Sequence, residues 1–223
     1  MSGLRWDRRL RKWRIPLCIA TTLVFLGTVG LSQGTFQNLG FENPIPPLDP
    51  IGTGIVPIGN ALPGWTGYLS TNLVNWVFLD SYPIEWGSIS LVSPNAPSSL
   101  QPISGNYSVV LRGVSIGQVG QIPSDAFSLR LLCGPYGNVG VSFDGHNIPL
   151  VQFGTSGNKI IMAGDISRFA GHAGELLIGG SELLFDDIQF SNQPIPEPRL
   201  VGWFSLGILF LKLRLRKFQQ TVS

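Results

Sequence analysis

The chain of 223 residues holds only two cysteines and two histidines, and that scarcity removes several kinds of chemistry at once. Cys18 lies in an N-terminal apolar run and Cys133 stands alone in the body, so a processed domain has no disulfide to close. No Cys or His spacing suits zinc. Cys133 follows Leu131 and Leu132 and reads as a small buried apolar residue rather than a reactive thiol. His146 adjoins the Asp144-Gly145 pair and His172 follows Gly171, which makes both loop residues rather than catalytic bases. No nucleophile elbow or phosphate loop is present. Gly52-Thr53-Gly54 lacks the third glycine of a dinucleotide fingerprint and lies among prolines.

Positive charge is scarce in the middle of the chain. Arg112, Arg130, Lys159 and Arg168 face eleven carboxylates there, so the body carries −7 although the whole chain carries +2. A nucleic-acid-binding domain sets its cations on the fold to neutralise phosphates, and this distribution excludes one. The other eleven cations sit at the two ends, as in segments held on the cytoplasmic side of a membrane.

Residues 1–34 have the pattern of a secretory signal peptide: a basic stretch to Arg14, an apolar run Ile15–Leu31, and small residues Gly30, Ser32 and Gly34. These small residues favour cleavage over a retained anchor helix. Arg8-Arg9 is a weak twin-arginine signal, because Arg11 stands where that signal wants an apolar residue. Residues 194–223 form a tail with Pro196-Glu197-Pro198, an apolar segment 200–211, and a basic end of Lys212, Arg214, Arg216 and Lys217. The apolar segment would extend about 18 Å as a helix, against ~30 Å of hydrocarbon core. It therefore suits a transient sorting tag better than a permanent anchor.

Sustained helical periodicity is missing from the body, residues 35–193. Thr35–Glu42 predicts a first strand, and the prolines of Asn43–Pro63 exclude regular helix there. Leu62-Pro63-Gly64-Trp65 marks a turn that delivers a core tryptophan. Short apolar or alternating segments then recur at Val74–Tyr82, Ser88–Val92, Tyr107–Leu111, Phe127–Leu132, Val139–Phe143, Ile148–Phe153, Lys159–Ala163, Glu175–Ile178 and Leu183–Phe190. Asp144-Gly145 predicts a hairpin, and Asp165–Gly171 a single capped helical turn. The pattern is that of an all-β sandwich.

Two groups of side chains are candidates for chemistry. In Leu184–Phe190, strict alternation puts Asp186 on a face with Leu184, Ile188 and Phe190, and Asp187 on a face with Phe185. A carboxylate in apolar company needs a partner: Arg112, Arg130, Arg168, a nest of backbone N–H groups, or a metal. A salt bridge is the simplest of these, and an oxygen-ligated metal here would be Ca²⁺. Separately, Trp76, Tyr82 and Trp86 could stack sugar rings, although Trp76 as core and Trp86 as a loop cover is the plainer reading. Asp80 and Glu85 in the same stretch are the candidate acids of an alternative, an enzyme acting on extracellular polysaccharide.

Phe41-Glu42, Leu62-Pro63-Gly64-Trp65 and the closing strand Leu184–Phe190 together resemble the galactose-binding-like jelly rolls, which include many carbohydrate-binding modules. That resemblance implies a jelly-roll β-sandwich, and a structural calcium held by Glu42 with Asp186 or Asp187. The tail is similar to the PEP-CTERM sorting signal of Gram-negative bacteria, on Pro196-Glu197-Pro198, the apolar segment and the basic end. It implies an exosortase-like processing enzyme as partner and contact with the membrane through the tail. The expectation is an exported, surface-directed, non-catalytic jelly roll, flanked by an N-terminal signal helix and a short C-terminal apolar helix. Its ligand would be a polysaccharide or extracellular matrix.

Overall fold

Alternation in the body becomes strand almost throughout. The computed structural model describes residues 31–32, 34–46, 48, 54–81 and 85–195. The signal segment up to residue 30, Pro196, Glu197 and Pro198, the apolar segment 200–211, and Lys212, Arg214, Arg216 and Lys217 lie outside the described residues, as does Tyr82. Among the described residues the strands are β1 (Leu31–Ser32), β2 (Ile55–Pro57), β3 (Thr66–Leu69), β4 (Asn72–Val74), β5 (Trp76–Leu79), β6 (Ser88–Val92), β7 (Ser108–Arg112) and β8 (Val114–Gln121). They continue with β9 (Ser128–Cys133), β10 (Asn138–Phe143), β11 (His146–Ile148), β12 (Leu150–Ser156), β13 (Lys159–Asp165), β14 (Ala173–Ser181) and β15 (Leu183–Ser191).

They form two sheets. One runs β12-β13-β9-β15-β7-β6-β5-β2, with β1 also on β15, and the other runs β11-β10-β14-β8-β3-β4. Every pairing is antiparallel except β5 with β6. Val77, Ile89, Leu111, Leu129 and Phe185 of the first sheet meet Ile116, Val141, Phe143, Leu176 and Ile178 of the second in one core. Trp65 is buried there as expected, its Nε1–H donating to the Asn38 carbonyl at 3.2 Å. Asp144 and Gly145 both take positive φ in the β10–β11 turn. The capped helical turn is a 3₁₀ turn, Ser167–Phe169, with Asp165 Oδ1 accepting from Ser167 N–H.

Three expectations need correction. Thr35–Glu42 is not a strand: Asn38 and Phe41 adopt left-handed φ of 50° and 57°, which breaks the extended run. Phe36, Leu39 and Phe41 nonetheless fill the core, so the apolar spacing signalled burial rather than β pairing. The proline-rich stretch contains one helical turn, Ile58–Ala61, entered from Pro57, where the N–H that proline lacks is not required by the turn. Strand β8 is not marked in the sequence, because Val114–Gln121 is rich in Gly and Gln. Its glycines are packing devices: a Cβ at Gly120 would lie 2.6 Å from the Phe36 ring. Gln118 accepts from Gln37 N–H and donates to Gln37 C=O, and so stands in for a neighbouring strand along the irregular segment.

The last strand is also re-phased. A bulge between Asp186 and Gln189, with Asp187 at φ 50°, inserts a residue into β15. Phe185, Ile188 and Phe190 consequently all enter the core, which strict alternation forbids. Asp186 is left with Leu184 on the outer face.

Candidate functional site

The outer face of the larger sheet is covered by the segment between β6 and β7. Val92, Ala96 and Leu100 pack there on Val110, with Leu184 beside them, in a second apolar cluster. Two carboxylates hold this cover down. Glu42 Oε1 accepts from the N–H groups of Asn106 and Tyr107 at 2.9 and 3.0 Å, and Oε2 accepts from Asn106 Nδ2 at 3.2 Å. Gly105 has φ +51°, and a Cβ there would run into the Glu42 carboxylate, so the close approach demands glycine. Asp186 is 1% exposed; its Oδ2 accepts from the Ser108 hydroxyl at 2.7 Å, and that hydroxyl oxygen accepts from Ile103 N–H at 2.9 Å. Burial pushes the Asp186 carboxyl up to about 7; the Asp187 and Glu42 charges add to this, and hydrogen bonds from Ser108 and Asp187 N–H oppose it.

Glu42 lies close enough for its charge to act on Asp186, and both carboxylates serve the cover. Their oxygens are taken by N–H and O–H donors, and Asp187 Oδ1 turns to Gln189 Nε2 at 2.8 Å. Among the described residues no three His, Cys, Asp or Glu side chains converge. Calcium needs six to eight oxygen ligands, and this arrangement does not fit it. Nor does an arginine salt bridge serve Asp186. Arg112 pairs with Glu182 at 3.6 Å, while Arg130 and Arg168 stack on Phe153 and Phe169. Glu42→Ala is expected to raise amide exchange at Asn106 and Tyr107 at least tenfold, and EGTA to leave the melting temperature within about 1 °C. A melting transition lowered several degrees by EGTA overturns the donor-clamp account.

The clamped cover forms one wall of a cleft of about 370 Å³. Ser98 to Ile103 make that wall, Val110 and Leu184 the apolar floor, and Gly134-Pro135-Tyr136 the opposite side. Asn158, Lys159 and Glu182 complete the rim. Register explains the convergence: Leu184 faces Val110 across β15 and β7, Gly134 N–H donates to the Leu184 carbonyl, and Ile160 pairs with Cys133. An apolar floor with a few convergent polar groups is the usual make-up of a small-molecule site. Tyr136, 79% exposed, offers a ring face beside it.

Trp76 and Trp86 do not line this cleft. Trp76 starts β5 on the outer face, 47% exposed, and Trp86 is 67% exposed and lies over the Gly113 corner that joins the two sheets. Ser88 pairs with Arg112, whose partner Glu182 is on the cleft rim, so this aromatic edge and the cleft share one end of the sheet. Asp80 accepts from Ser93 N–H and from its hydroxyl at 2.6 and 2.8 Å, which makes it a turn cap. Glu85 is exposed, and neither residue reaches the cleft. Cys133 is buried, its thiol pushed up to about 12 by desolvation. Tyr136 and Lys159 carry no signal in the sequence, since Tyr136 sits in a short connection and Lys159 at the very start of β13, and their cleft neighbours come from distant segments.

No family model matches the chain, and no curated protein and no solved structure matches it either.

Proposed function

We propose that the protein is an exported, surface-directed and non-catalytic jelly-roll β-sandwich that binds glycan in the cleft and is sorted through its PEP-CTERM-like tail. One observation carries the reading. The last strand, β15, ends at Ser191, so the chain leaves the body toward its tail at that end. The cleft lies at the other end of the same strand, where Leu184 forms its floor. Seven residues separate Leu184 from Ser191, about 23 Å at ~3.3 Å per residue. A body held at a membrane through its tail presents its cleft outward. The acidic body between basic ends supports the same topology.

Cell fractionation with intact-mass measurement tests export and sorting together. The expected species is in the envelope or outside the cell and has lost mass at its N-terminus; an intact chain soluble in the cytoplasm overturns the reading. For the ligand, a pull-down on insoluble polysaccharides is expected to retain the protein and to lose most retention in Tyr136→Ala. Trp86→Ala reports whether the aromatic edge extends the site. Absence of retention on every polymer removes the glycan claim.

A further inference from the structure

The cleft contains a cation that the fold itself does not use. Of the four cations in the body, Arg112 is paired with Glu182, Arg130 lies 4.4 Å over the Phe153 ring, and Arg168 lies 4.4 Å over the Phe169 ring. Lys159 is the exception: among the described residues it has no carboxylate within salt-bridge distance and no ring against it. It is half-buried at the start of β13 and lines the cleft. A half-buried ammonium draws a negative partner more strongly than a fully solvated one, because water screens it less. Glu182, the carboxylate on the same rim, is already engaged by Arg112.

We infer that the cleft takes a carboxylate-bearing sugar, a uronic acid unit of an acidic glycan, with the carboxylate on Lys159 and the sugar ring against Tyr136. The inference rests on the glycan reading above and narrows it. One ammonium with no guanidinium fork suits a singly charged carboxylate; a phosphate dianion would want an arginine clamp or several N–H donors. Ser98, Ser99 and Asn158 supply hydroxyl and amide groups for sugar hydroxyls, and Val110 and Leu184 receive the apolar face of a ring. The −7 of the body does not cancel this attraction, since at physiological salt charges beyond about 8 Å are largely screened.

The test titrates the full chain with methyl glycosides of glucuronic and galacturonic acid, and with the methyl glucoside and galactoside, which differ only in the C6 group. The expected result is about tenfold tighter binding of at least one uronide than of its neutral counterpart, roughly 1.4 kcal/mol, narrowing at 1 M salt. Lys159→Gln is expected to abolish that preference, Lys159→Arg to keep it, and Tyr136→Ala to weaken both ligands. Equal affinity for the uronides and neutral sugars, or a preference that survives Lys159→Gln, overturns the acidic-sugar inference and leaves the glycan reading standing. Failure of all four ligands to bind overturns both.

Discussion

Replacing Asp186 by asparagine is expected to stabilise the protein at pH 8 and to leave its stability nearly unchanged at pH 4. The Asp186 carboxyl has its folded-state pKa raised to about 7 by burial, whereas an unfolded chain releases the proton near the ordinary carboxylate value. Between those values the folded state holds a proton that the unfolded state has lost. Stability contributed by this group is therefore full below about pH 4, declines as pH rises toward 7, and is flat above it. About 3 pH units at ~1.36 kcal/mol each gives on the order of 4 kcal/mol as the upper bound. The amide reproduces the neutral acid: its oxygen can accept from Asp187 N–H while its NH₂ turns to the Ser108 oxygen. Chemical denaturation of both proteins at pH 4, 6 and 8 measures the difference, in which other titrating groups largely cancel. Parallel curves for the two proteins across that range defeat the prediction.

Phe41→Ala is expected to cost about 3–5 kcal/mol, the range for emptying a buried aromatic site. Phe41 is fully buried, meets Phe185 edge-on with centroids 5.4 Å apart, and lies 5.7 Å from the Trp65 ring. Its backbone φ of 57° opposes this, since an L residue in the left-handed region costs roughly 1–2 kcal/mol. Burial outweighs that strain, and alanine keeps the strain while losing the packing. Phe41→Leu, which keeps most of the volume, is expected to lose less than half as much. A denaturant midpoint for Phe41→Ala within about 1 kcal/mol of the parent would show that the three rings do not organise the core.

These two residues bracket what is readable without coordinates. Phe41 is legible as a core residue, but a strand through it is not what forms. Hydrophobic spacing reports burial, whereas the left-handed turns at Asn38 and Phe41 depend on Gln118 and Trp65, far along the chain, which bond the backbone of that segment. Asp186 is legible as a carboxylate in need of a partner. Its actual partner, Ser108, lies 78 residues away in sequence, and the bulge at Asp187 makes the local face count fail. The hairpin at Asp144-Gly145 and the turn at Ser167–Phe169 are legible because their chemistry is complete within a few residues. The cleft is not, because its walls come from separate connections that only strand register aligns.

The sequence by itself determined the β class of the body, the burial of most of its apolar positions, the turn chemistry, and the division into an acidic middle and basic ends. All of these are set by local periodicity, composition or charge, which need no knowledge of neighbours in space. Tertiary structure alone decided that Glu42 and Asp186 clamp a cover instead of meeting a cation, that Lys159 and Tyr136 share a cleft, and that this cleft lies at the end of β15 opposite Ser191. The physical reason is that a carboxylate or an ammonium acts on whatever lies within a few ångströms of it. In a two-sheet fold those neighbours are chosen by register and bulges between strands distant in sequence.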